Sequence, residues 1–69
     1  MEFLRVTIKG ILTNVPVLIN GQKNGYTNKI LKLNRGYVKV SAEYPKIKTE
    51  EIYLSDTTVN KPKKVILCA

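Results

Sequence analysis

Apolar and polar residues alternate along this chain with a period of two, in short runs separated by turn-forming residues. From Phe3 to Lys9, Leu4, Val6 and Ile8 fall on one side and Arg5, Thr7 and Lys9 on the other, which predicts a half-buried strand. Gly10 breaks it. Pro16 has no N–H to give to a ladder, so Val17-Leu18-Ile19 is expected at a sheet edge or next to one. Asn20-Gly21 follows, and because both residues accept positive φ it is a strong hairpin signal, with Gln22-Lys23-Asn24 as a short return strand. Further strands are expected around Leu31-Leu33, from Tyr37 to Tyr44 where Pro45 stops the run, around Ile52-Leu54, and from Val65 to Cys68. No window sustains a 3.6-residue apolar period, so no helix is expected. The pattern predicts one all-β domain over residues 1–69: a small antiparallel β-sandwich, or a small barrel, of six or seven short strands.

The stretch from Leu31 to Val40 is the centre of this prediction. Read as a hairpin, it has two competing registers, and a slip of one residue would turn every side chain to the wrong face. A three-residue loop from Asn34 to Gly36 sets Leu31 against Lys39 and mixes an apolar row with a charged one. A four-residue loop sets Leu33 against Val38, Leu31 against Val40 and Lys29 against Ala42 on one side. Lys32 then meets Lys39, Asn34 meets Tyr37 and Ile30 meets Ser41 on the other. The second register separates core from solvent and is the one expected. It also brings Lys32, Arg35, Tyr37 and Lys39 together on the wet face, an aromatic ring among cations, and these four form the candidate binding surface.

Charge gives that cluster its interest. Twelve Lys and Arg against five Asp and Glu leave a net charge of +7. Residues 1–42 account for +6, residues 43–58 for −2 and the remainder for +3. Such asymmetry points towards nucleic acid, an anionic polysaccharide or an acidic protein surface, and competes with the plainer reading of a solvated, lysine-rich exterior. Lys9, Lys63 and Lys64 read as guards against promiscuous edge pairing. Tyr44 shares the inward parity of Val38 and Val40, whereas Tyr53 has the opposite parity to Ile52 and Leu54, so its exposure would hint at a protein contact.

The residues offer little for chemistry. There is no His, and the single Cys68 has no partner, which removes the usual metal sets and Cys/His nucleophiles within one chain. Glu50 and Glu51 are adjacent and point to opposite faces of a strand, so they make no acid/base pair. Most of the Val, Ile and Leu of so short a chain are needed for its core, which leaves few to line a deep ligand cleft. No catalytic residue, cofactor, metal or small-molecule substrate is expected. Arg5 and Lys9 interrupt the first apolar stretch, which therefore makes no signal peptide, and no run approaches the roughly 20 apolar residues that span a bilayer. The expected location is cytoplasmic if the chain is complete, and the envelope or surface if it is excised from a longer exported protein.

The chain resembles the PEGA-type domain, a small bacterial β-sandwich module. The resemblance lies in Val17 to Gly21, Gly25 with Thr27 two residues on, Leu31 to Leu33, Gly36 to Val40 and Tyr44. Ile52 to Leu54 and Val65 to Leu67 continue it less closely. Asn28 and Arg35 stand where members of that family usually carry proline. The resemblance implies a prealbumin-like sandwich that serves as an accessory module in envelope, surface or signalling proteins. It implies no shared catalytic site and no functional residues to carry over. The expectation is therefore a non-catalytic binding or spacer module acting on protein or glycan. The alternative is a small basic β-barrel binding nucleic acid through its Lys/Arg-rich face, in which a base would stack on Tyr37.

Overall fold

The computed structural model describes residues 1–68. Seven strands and no helix are found among them: β1 (Glu2–Ile8), β2 (Pro16–Ile19), β3 (Gln22–Tyr26), β4 (Ile30–Leu33), β5 (Gly36–Ala42), β6 (Glu50–Leu54) and β7 (Lys63–Leu67). They form two sheets, one of three strands in the order β4-β1-β7 and one of four in the order β3-β2-β5-β6. This is the small all-β sandwich that the alternation predicts. Its core draws Leu4, Val6 and Ile8 from β1, Leu31 and Leu33 from β4, and Val65 and Leu67 from β7. Facing them are Val17 and Ile19 from β2, Val38, Val40 and Ala42 from β5, and Leu54 from β6. Tyr44, Ile47 and Ile52 pack at its margin. Full burial of each large aliphatic contributes about 1.5–3 kcal/mol, the main term that holds two such small sheets together.

The Asn20-Gly21 turn forms as expected, with Ile19 opposite Gln22 and both turn residues at positive φ, 52° and 85°. It is also stitched to the neighbouring strand. The Asn20 N–H donates to the Lys39 carbonyl at 2.8 Å, and the Asn20 side-chain oxygen accepts from the Lys39 N–H at 2.9 Å. Beyond it β2 is shielded by β3 on one side and by β5 on the other, so the strand after Pro16 is next to an edge.

The central hairpin does not form. β4 pairs antiparallel with β1, setting Leu4 against Leu31 and Phe3 against Lys32, while β5 pairs with β2 and β6 in the other sheet. The link between β4 and β5 is a corner from one sheet to the other, and Gly36, at φ 134°, takes the chain round it. Alternation specifies which side of a strand is buried and is silent about its neighbour. The apolar rows of β4 and β5 meet the same core from opposite sheets as well as they would side by side. The corner also keeps Lys32 and Lys39 apart, so the like-charge pairing of the hairpin register is never made. Lys39 faces Glu51 instead.

One ladder departs from antiparallel pairing. β7 lies parallel to β1, with Arg5 opposite Lys64 and Thr7 opposite Ile66. Parallel neighbours need a crossover connection, and here the chain from β6 to β7 crosses from the four-stranded to the three-stranded sheet. Thr57 clips that crossover to the start of β1. Its hydroxyl donates to the Glu2 carboxylate at 2.6 Å and accepts from the Phe3 N–H at 2.7 Å, and its backbone N–H donates to the same carboxylate oxygen at 3.0 Å. A second clip is the buried Thr27, whose hydroxyl accepts from the Val15 N–H at 2.9 Å. Asn28, next along, sits at φ 66°, a conformation that a proline ring forbids.

Candidate binding surface

Because side chains alternate along each strand, burying one face of each sheet leaves two outer faces for contact with anything else. They differ in kind. On the four-stranded sheet the outward positions include Leu18 on β2, Lys23 on β3, Tyr37, Lys39 and Ser41 on β5, and Glu51 and Tyr53 on β6. Opposite charges sit near each other there. Lys23 makes an ion pair with Glu43 at 3.3 Å, and Lys39 lies across the ladder from Glu51. Tyr37 and Tyr53, directly opposed, pack edge to face with ring centroids 4.8 Å apart. An open groove of about 460 Å³ is lined by Leu18, Asn20, Gly21, Lys39, Ser41 and Thr49.

On the three-stranded sheet the outward positions are Ile30 and Lys32 on β4, Phe3, Arg5 and Thr7 on β1 with Lys9 just beyond, and Lys64 and Ile66 on β7. Four of these are cations. No carboxylate lies among the described residues of this face: Glu2 has the inward parity, is buried, and is held by Thr57. Hydrogen bonds from the Thr57 hydroxyl and then its N–H hold the Glu2 carboxyl below the usual carboxylate range, against the opposing effect of burial. Arg5 is flanked by Ile30 on one side and Lys64 on the other, so two cations stand on neighbouring strands about 4.8 Å apart at the backbone. Arg5, Thr7, Lys64 and Ile66 line a second open groove, of about 250 Å³.

The four residues grouped by the hairpin register are therefore divided. Tyr37 and Lys39 share the outer face of the four-stranded sheet, and Lys32 is on the three-stranded one. Arg35 is at the corner between the sheets, where its guanidinium meets Asp56 at 3.2 Å. Tyr37 packs on Tyr53, away from Lys32, the cation of its group that lies on the three-stranded side. The richer cationic group of Arg5, Lys9, Lys32 and Lys64 was half visible in the alternation of the first strand. What the pattern lacked was the partner strands, which set Lys64 beside Arg5 and Lys32 beside Phe3 on the same outer face. Lys63 and Lys64 do lie on an edge strand, β7.

Among the described residues no cluster of three or more His, Cys, Asp or Glu is arranged to hold a metal ion, and no helix is long and apolar enough to cross a membrane. Compared with protein-family models, with curated proteins and with solved structures, the chain matches none.

Proposed function

We propose that this protein is a non-catalytic binding module that meets an anionic partner through the outer face of its three-stranded sheet. The observation that carries this reading is the grouping of Arg5, Lys9, Lys32 and Lys64 on a face with no carboxylate among its described residues. Like charges set side by side on a sheet weaken it, and an anionic partner relieves that repulsion. The resemblance to PEGA-type domains, carried by the Asn20-Gly21 turn and the strand from Gly36 to Val40, supports an accessory role over a catalytic one. Nucleic acid is the weaker alternative. Single-stranded binding combines cations with exposed aromatic rings, and here the exposed Tyr37 and Tyr53 are on the opposite sheet from the main cationic group.

The test compares two double variants of equal net charge, Arg5→Gln with Lys64→Gln and Lys23→Gln with Lys39→Gln. Each is titrated with sulfated dextran at near-physiological salt while backbone amide shifts are followed. Loss of binding confined to the first pair is the expected result. Equal losses in both would show that the net charge of +7 acts as a whole and would remove the face from the argument.

A further inference from the structure

Resting on that reading, we infer that the anionic partner is a lipid bilayer surface, on which the three-stranded sheet lies flat. Three features of the face favour this occupant. The first is size. Three strands of up to seven residues make a patch of roughly 23 by 15 Å, or about 350 Å², from the standard strand rise and spacing. A stable protein–protein interface takes about 800 Å² from each partner. A bilayer sets no such minimum, because its surface extends beyond the patch on every side.

The second feature is the apolar content. Ile66 is 65% exposed and Ile30 39% exposed, and they stand in the same rows as the cations, Ile30 opposite Arg5 and Ile66 one outward step along β7 from Lys64. A charged polymer in water has no use for two aliphatic side chains at its contact. At a bilayer they enter the boundary between headgroups and acyl chains while Arg5, Lys32 and Lys64 hold the phosphates, the division of labour of a basic amphipathic surface. The third feature is the chemistry of the cations and what accompanies them. Arg5 offers a planar fork of N–H donors suited to a phosphate. The aromatic ring among the described outward positions of this face, Phe3, is half-buried and presents less surface for a base to stack on than the exposed Tyr37 and Tyr53 of the other sheet.

The experiment is co-sedimentation of the protein with vesicles of phosphatidylcholine alone and of phosphatidylcholine with phosphatidylglycerol. It uses the wild type, Ile66→Ser, and the two double variants above, each checked for its fold by amide spectra. Ile66 points to solvent, so its replacement leaves the core intact. The wild type is expected on the anionic vesicles and not on the neutral ones. Neutralising Arg5 and Lys64 should weaken binding by about 25-fold, at about fivefold per cation. Ile66→Ser should weaken it severalfold, and neutralising Lys23 and Lys39 should change it less than twofold.

The outcomes separate the two levels of the proposal. If Ile66→Ser binds as the wild type does while the Arg5/Lys64 variant fails, Ile66 does not enter the bilayer, the contact is one that any polyanion would make, and the lipid inference falls. It falls too if vesicles are ignored while sulfated dextran or an oligonucleotide shifts Arg5, Lys32 and Lys64, but the anionic-partner reading then stands. If both double variants lose equally on vesicles and on dextran, both levels fall together.

Discussion

The two sheets share one core and present opposite exteriors. Outside the four-stranded sheet, cations sit near carboxylates and two tyrosines pack on each other; outside the three-stranded sheet, cations stand among isoleucine, threonine and a half-buried phenylalanine. The difference shows that a net charge of +7 is a poor description of this surface. One face is locally balanced, and the other is a cationic sheet with no carboxylate among its described outward residues.

The comparison breaks most readily at the core that both sheets share. Leu4 in the three-stranded sheet and Leu54 in the four-stranded one are each completely buried. Replacing either with alanine should cost about 2–5 kcal/mol in urea unfolding. A domain of this size has roughly 3–5 kcal/mol to lose, so both variants should be largely unfolded or close to it. A mild loss at one and a severe loss at the other would mean that the sheets do not depend equally on one core.

A smaller effect probes the contact between the sheets. Gly25 in β3 has φ 70°, and a methyl group there would overlap the Leu31 side chain of β4 in the other sheet. Gly10 has φ 80° with open space around it. Gly25→Ala should therefore cost more than Gly10→Ala, about 2–3 kcal/mol against about 1 in thermal or urea unfolding, since only the first adds overlap to backbone strain. Equal losses would show that Leu31 moves aside freely.

Acid should act through the three-stranded sheet. The Glu2 carboxyl is held below the usual carboxylate range by Thr57, so it stabilises the folded state when ionised. That contribution is complete above the pKa of an unfolded glutamate and is lost as pH falls through the lowered folded value. The melting temperature of the wild type should fall on acidification, and Glu2→Gln should flatten the acid limb of that profile. An unchanged profile would remove the Thr57 clip from the account.

The smallest expected effect compares the faces directly. Neutralising Arg5 and Lys64 should raise stability by about 0.2–1 kcal/mol at low salt by relieving a like-charge pair. Neutralising Lys23 and Lys39 should lower it by less than about 1 kcal/mol, because an exposed ion pair is lost. Opposite signs that both shrink with salt are the expected outcome in paired unfolding measurements.

Strand positions were legible because alternation is a local property. Leu4, Val6 and Ile8 announce a buried face without reference to any other part of the chain, and Asn20-Gly21 announces its turn by backbone conformation alone. Partnership between strands was not legible. Leu31 and Leu33 read equally well against Val38 and Val40 or against β1, and nothing near them in sequence decides between the two. The candidate surface inherited that ambiguity: Tyr37 and Lys39 stayed together because they are on one strand, and Lys32 left with β4. Lys64 stands beside Arg5 only by way of the parallel ladder, which joins strands far apart in sequence and has no local signal.

That parallel ladder also has a consequence in time. β1 is the middle strand of its sheet, yet its partner at Leu4 is Lys63, made roughly 60 residues later. At about 5–20 residues per second, a nascent chain waits about 3–12 s between making its first strand and making the last one that covers it. Through that interval one edge of β1 is open beside Val6 and Ile8, and the sheet that carries the cationic face is completed last.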